Sequence, residues 1–207
     1  LIYPLTCRDF FVDPRDEQIY NTVQIGDQCW MAENLNIGLM INGTEDMTDN
    51  GVIEKYSYDN DPFYNEINGG LYQWNEIMDY TLTQGVQGIC HAGWHIPTDD
   101  EWTTLSDFLG GDSIAGGKMK EVDTIHWKPP NTGATNESGF TALPGGFRFT
   151  DGNFYSLGYI SFFWSSNENN TNNSWTRSLG NSHANFFHNF CSKDRGLSVR
   201  CLMDNSI

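Results

Sequence analysis

The chain has 207 residues, a length suited to one domain around a sizeable core, and carries 27 acidic against 11 basic side chains, a net charge of −16. A field of that sign repels the phosphates of nucleic acids and anionic lipid surfaces, which excludes nucleic acid and direct membrane insertion from the expected partners. Aromatic residues make up 14% of the chain, too many for a solvated acidic tail, and no apolar run approaches the ~18 residues of a membrane span.

Asp13-Pro14-Arg15-Asp16 reads as an acidic turn. Val23 and Ile25 then alternate with polar neighbours, Gly26-Asp27 supplies turn chemistry, and Cys29-Trp30-Met31 resumes an apolar run. This predicts a β-hairpin within about 10–35. Residues 36–70 are rich in Asn, Gly and Asp without a sustained period and read as a long loop. A loop of that length is unusual unless it is functional or tied down. Leu71, Trp74, Ile77 and Met78 suit a short helix between 70 and 80.

The strongest helix signal covers about 98–109. Thr98 is a good N-cap with Glu101 three residues on, a capping box, and acidic residues fill the first turn where the helix dipole favours them. Trp102, Leu105, Phe108 and Leu109 are expected on one face, and Gly110-Gly111 ends the run. Beyond residue 117 the punctuation turns to β, with short strands expected at 140–149, 152–154, 162–166, 175–179 and 197–202. No repeat and no break in composition divides the chain. The expectation is a single domain over 1–207 of class α+β, with short antiparallel strands, one or two helices and long loops.

Five cysteines permit two bridges at most and leave at least one thiol. None forms a CxxC pair, so a zinc site is not indicated, and the Lys-poor, Asn- and Trp-rich composition favours an oxidising exterior. His91 and His95 have a metal-like spacing only on a helix. Gly93 and Pro97 argue against one, leaving turn histidines beside Trp94. No cofactor is expected; Asp59, Asp61 and Glu66, or Asp46 with Asp49, are weak candidates to offer hard oxygen ligands to Ca²⁺. Their spacing is not that of an EF-hand, which favours solvated loop charges.

Four stretches carry a family resemblance: Thr22 through Leu35, Cys90 through Trp102 (with Gly93-Trp94-His95-Ile96-Pro97-Thr98), Ser138 through Arg148, and Gly196 through Cys201. In order and spacing they are similar to the Fibrobacter succinogenes major paralogous domain family, over about 10–204. The segment around Trp94 to Trp102 also resembles the helix entry of formylglycine-generating enzymes. The resemblance implies a C-type-lectin-like fold and a place among secreted and surface proteins of Gram-negative bacteria. It further implies a Cys90–Cys201 bridge, with Cys7–Cys29 as the second, so that Cys191 is left over. The paired reactive cysteines of formylglycine-generating enzymes and the sugar-binding calcium motifs of C-type lectins are both missing.

The segment 162–195 is the most informative for function, within a C-terminal β and loop region of about 140–204. Its amides, hydroxyls and aromatics are the mix used by antigen-combining loops. Phe186, Phe187 and Phe190 are too irregularly placed for one strand face, so at least one is expected to meet solvent. Residues 181–195 also resemble a variable region rewritten by a diversity-generating retroelement. The expected ligand-binding residues are Trp175, Asn181, His183, Asn185, Phe186, Phe187, His188, Asn189 and Phe190. The expected function is non-catalytic recognition of a protein or glycan on another cell or host, as an adhesion domain of a surface or pilus-tip assembly. The alternatives are a formylglycine-generating-type oxidoreductase using Cys191 or a bound metal, and an architectural surface-layer domain.

Overall fold

The computed structural model describes Cys7 and residues 9–204. The N-terminal strands are β1 (Phe10–Val12), β2 (Ile19–Ile25) and β3 (Gln28–Met31). β2 and β3 form the expected hairpin, pairing Val23 with Trp30 and Ile25 with Gln28. At the turn Gly26 has φ +60°, and a Cβ there would sit 3.0 Å from the Phe108 ring. The acidic turn before β2 is held from within: Arg15 Nη2 lies 2.6 Å from the buried carboxylate of Asp13 and its Nη1 donates to the Ile89 carbonyl.

Residues 36–70 are not one loop. They contain the parallel pair β4 (Leu39–Met40) and β5 (Glu54–Lys55), then helix α1 (Phe63–Asn68). The segment is pinned from outside by buried donors. Tyr72 Oη donates to the Ile37 carbonyl at 2.7 Å, and Arg148 reaches the carbonyls of Gly43 and Glu45. The helix expected near 70–80 is one turn, α2 (Trp74–Ile77).

β6 (Trp94–His95) leads into α3 (Asp99–Phe108), whose capping box is complete: Thr98 Oγ1 accepts from the Glu101 amide while Glu101 Oε2 accepts from the Thr98 amide. Trp102, Leu105 and Leu109 are buried, but Phe108 is 65% exposed. It belongs to the helix flank, where it leans over Gly26 instead of joining the core. α4 (Ala115–Met119) follows, so the described residues hold four α-helices, besides a 3-10 turn at Tyr58–Asn60, where one or two helices were expected. Three of the four span six residues or fewer, too short to show a helical period in the sequence.

The remaining strands are β7 (Phe147–Arg148), β8 (Phe154–Tyr155), β9 (Ile160–Asn170), β10 (Asn173–Gly180), β11 (Phe186–Ser192) and β12 (Leu202–Met203). The strands expected at 140–149 and 197–202 therefore shrink to two residues each, and the region 181–195 contains a strand. The larger sheet has the order β1-β2-β3-β12-β6, and the second is β11-β10-β9, antiparallel throughout. The fold is mixed α and β, mostly antiparallel, with few helices.

The second sheet is a wall between two cores. Side chains alternate across a strand, so Phe163, Leu179 and Phe186 pack with Trp30, Trp102 and Phe140 on one side. Trp164 and Cys191 join Tyr72, Trp74 and Leu197 on the other. Bridges Cys7–Cys29 and Cys90–Cys201, the pairs implied by the family resemblance, have Cα separations of 5.6 and 6.0 Å. Two disulfides fit an oxidising compartment, and no helix of the described residues is long and apolar enough to cross a membrane.

Candidate functional site: an aromatic edge strand

β11 lies at the edge of its sheet, paired only with β10. Trp175 stands opposite Phe190, Arg177 opposite His188, and Leu179 opposite Phe186. These six share one sheet face, and helix α3 covers only part of it. Asp99, the first residue of α3, accepts from buried Arg177 at 3.0 Å and faces His188 Nε2 at 3.1 Å. On one side of that contact Phe186 is fully enclosed. On the other, Phe190 is 54% exposed and meets the half-buried Trp175 edge-on at 5.7 Å, while His188 lies over Trp175 at 4.4 Å. Trp175, His188 and Phe190 thus form an aromatic ridge open to solvent.

The opposite face carries a cleft of about 320 Å³ beside the start of β11. Phe162, Ser178, His183 and Phe187 line it, with Phe187 38% exposed and 5.7 Å edge-on from the His183 ring. Asn189 is exposed on the same face and makes one long contact of 3.5 Å to Ser178 Oγ.

Two of the expected ligand-binding residues serve the fold. Phe186 is a core residue, because α3 and α4 close over that end of the sheet. Asn181 spends its side-chain amide on the carbonyls of Lys128 and Pro129. Asn185 is half-buried, its carbonyl lying where a Cβ on Gly116 would stand. Trp175, His183, Phe187, His188, Asn189 and Phe190 are brought together around β11, on its two faces.

The residues 181–185 before β11 are gripped through their main chain. Asn181 donates to Tyr159 and accepts from Thr132, Ala184 accepts from Gly117, and Phe186 donates to Asp112. Sequence reasoning missed the centre of this grip, Lys120. Its Nζ donates to the carbonyls of Thr132, Gly180 and His183 at 2.8–2.9 Å, and burial pulls its pKa down to about 8. No sequence signal distinguishes this lysine from a solvated one.

Cys191 is buried, and burial pushes its thiol up to about 12, suppressing the thiolate that nucleophilic or metal chemistry uses. Asp59, Asp61 and Glu66 do not converge, since no group of three or more His, Cys, Asp or Glu among the described residues could hold a metal. Asp61 instead accepts from the Phe63 amide ahead of α1, and Asp46 accepts from Gln73 and Arg148. His91 packs on Phe11, and His95 bridges Glu101 and Asp204 at 3.1 and 2.6 Å. Burial pulls the His95 pKa down, but its two carboxylate partners together outweigh that and raise it above the ordinary value.

The sequence profile of the Fibrobacter succinogenes major domain matches residues 23–203. The chain belongs to that family. The match runs from the middle of β2 into the last strand and so takes in all of the β11-β10-β9 sheet and most of the larger one, β1 preceding it. No curated protein and no solved structure matches the chain. The family's name carries no activity, and the functional argument therefore rests on the residues around β11.

Proposed function

We propose that the chain is a non-catalytic extracellular recognition domain that binds a protein or glycan through β11 and its flanks. One observation carries this reading. Phe187 and Phe190 stand in solvent on an edge strand whose core requirement Phe186 already meets. Exposed aromatics ringed by amides and hydroxyls are the anchors of binding surfaces. An unprotected edge strand is a liability that a chain without a partner would blunt. The two faces, Trp175–His188–Phe190 and Phe162–Phe187–His183, adjoin a rigid support, as display of interchangeable side chains requires.

In this proposal the domain is the adhesion module of a bacterial surface or pilus-tip protein with a C-type-lectin-like arrangement, and 181–195 is its diversified segment. Sibling genes should then differ chiefly within 181–195, and differences spread evenly along the chain would contradict diversification. The binding proposal is tested with the purified chain on cells and on glycan and protein arrays. Phe190→Ala and Phe187→Ala should each weaken attachment about tenfold or more while leaving the unfolding midpoint nearly unchanged. Attachment indifferent to both substitutions would remove β11 from the binding surface.

A further inference from the structure

The second sheet has two edges, β9 and β11, and they are treated differently. The outer edge of β9 is taken by the backbone of Ser198 and Pro97. On β11 the Phe186 amide donates to the Asp112 carbonyl and so points away from β10, whereas the Lys193 amide just past the strand donates to Asn172 on the β10 side. Backbone groups of an antiparallel pair alternate in this way, and the register of β11 with β10 is unbroken from Ser192 to Phe186. Phe187, Asn189 and Cys191 therefore bond β10, while His188 and Phe190 aim N–H and C=O outward. Those four groups have no partner among the described residues, and 187–190 are all exposed.

The open span is bounded. The Asp112 carbonyl closes its head at Phe186, and the Arg195 amide takes the Ser192 carbonyl at its tail. No proline, lysine or bulge blunts the strand between them, the devices by which edges are usually protected. A strand laid along it would send alternate side chains to the two faces. One face carries Trp175, His188 and Phe190 beside the acidic first turn of α3, whose Asp99 faces His188. The other carries Asn189 and the cleft residue Phe187.

We propose that β11 takes up, as a further strand, an extended peptide of a partner protein whose alternate residues are basic. This rests on the recognition reading above and commits it to one partner class. Main-chain pairing with His188 and Phe190 supplies affinity, and the alternating faces supply selectivity. Basic side chains on the ridge face meet aromatic rings and the carboxylates of α3, and the exposed Asp112 stands at the head of the span. A second copy of this chain is disfavoured because two molecules of net charge −16 repel. A glycan has no row of amides to match the edge.

A blocked peptide of alternating lysine and valine, with its glutamate–valine counterpart, tests this by calorimetric titration and amide exchange at low salt. The lysine peptide should bind about tenfold or more tightly, and at saturation it should slow exchange of the His188 and Phe190 amides about tenfold or more. The Phe187 and Asn189 amides, already bonded to β10, should be slow before it is added. Phe190→Pro removes an outward N–H while sparing the β10 ladder, and should bind the peptide about tenfold more weakly than Phe190→Ala, which loses only the ring. If the proline variant does not fold, amide exchange decides alone. No binding of the lysine peptide, equal binding of the two peptides, or unchanged exchange at His188 and Phe190 overturns the proposal. So does a folded Phe190→Pro variant that binds as well as Phe190→Ala, or a dimer in which those amides are already slow, which would assign the edge to a second copy. Cell or glycan attachment that remains sensitive to Phe190→Ala without peptide binding leaves surface recognition standing and removes only strand addition.

Discussion

Phe186 and Phe190 lie four residues apart on one face of β11, and their surroundings differ because cover ends near Asp99. Phe186→Ala should cost about 3–5 kcal/mol, as for other enclosed phenylalanines, whereas Phe190→Ala should cost less than about 1 kcal/mol. Urea unfolding of the two variants measures the contrast. Lys120 gives the residue scale a pH signature. Its folded pKa of about 8 lies below the ordinary lysine value of 10.5, so the unfolded chain holds more protons between those limits. Stability should therefore rise from about pH 8 towards 10, and Lys120→Met should flatten that rise by about 1–3 kcal/mol in pH-dependent denaturation. Residues of this kind were the least legible in the sequence. A lysine that caps three carbonyls and an arginine enclosed against Asp99 read as solvated charges until distant backbone is folded around them.

Elements built on local signals were legible, and those built on distant ones were not. The β2–β3 hairpin follows from a two-residue turn between apolar runs, and α3 from Thr98, Glu101 and the glycines behind it. Thr98→Ala should cost about 1 kcal/mol through loss of the cap, measurable by thermal or chemical denaturation. Asn181–Arg195 gave no strand signal because β11 is buried only near its two ends, at Phe186 and Cys191 on opposite faces, so its apolar residues show no alternation. The residues after position 36 looked structureless because Arg148 and Tyr72, which hold them, lie far along the chain. The helical face containing Phe108 was too wide by one residue, since the neighbouring hairpin turn takes that ring on its outer side.

At the scale of the molecule, the Cys90–Cys201 bridge spans 111 residues and joins the entry to β6 with the entry to β12. Replacing both cysteines by serine should lower stability by about 4–5 kcal/mol in the chain-entropy picture, read from denaturant midpoints. The sheet β11-β10-β9 supports both cores at once, so one strand exchange would disturb packing on each side. Its approach segment has a separate consequence. Because 181–185 is held largely by amides and carbonyls, its path depends little on the substituents at 182, 183 and 185, whereas Asn181 also bonds through its side chain and Ala184 lies close against Gly117 and Gly133. A randomised library at 182, 183 and 185 should accept nearly any amino acid, whereas proline at 181 would remove the N–H that the Tyr159 carbonyl accepts. Chemical novelty can accumulate at that rim while the architecture beneath it stays still.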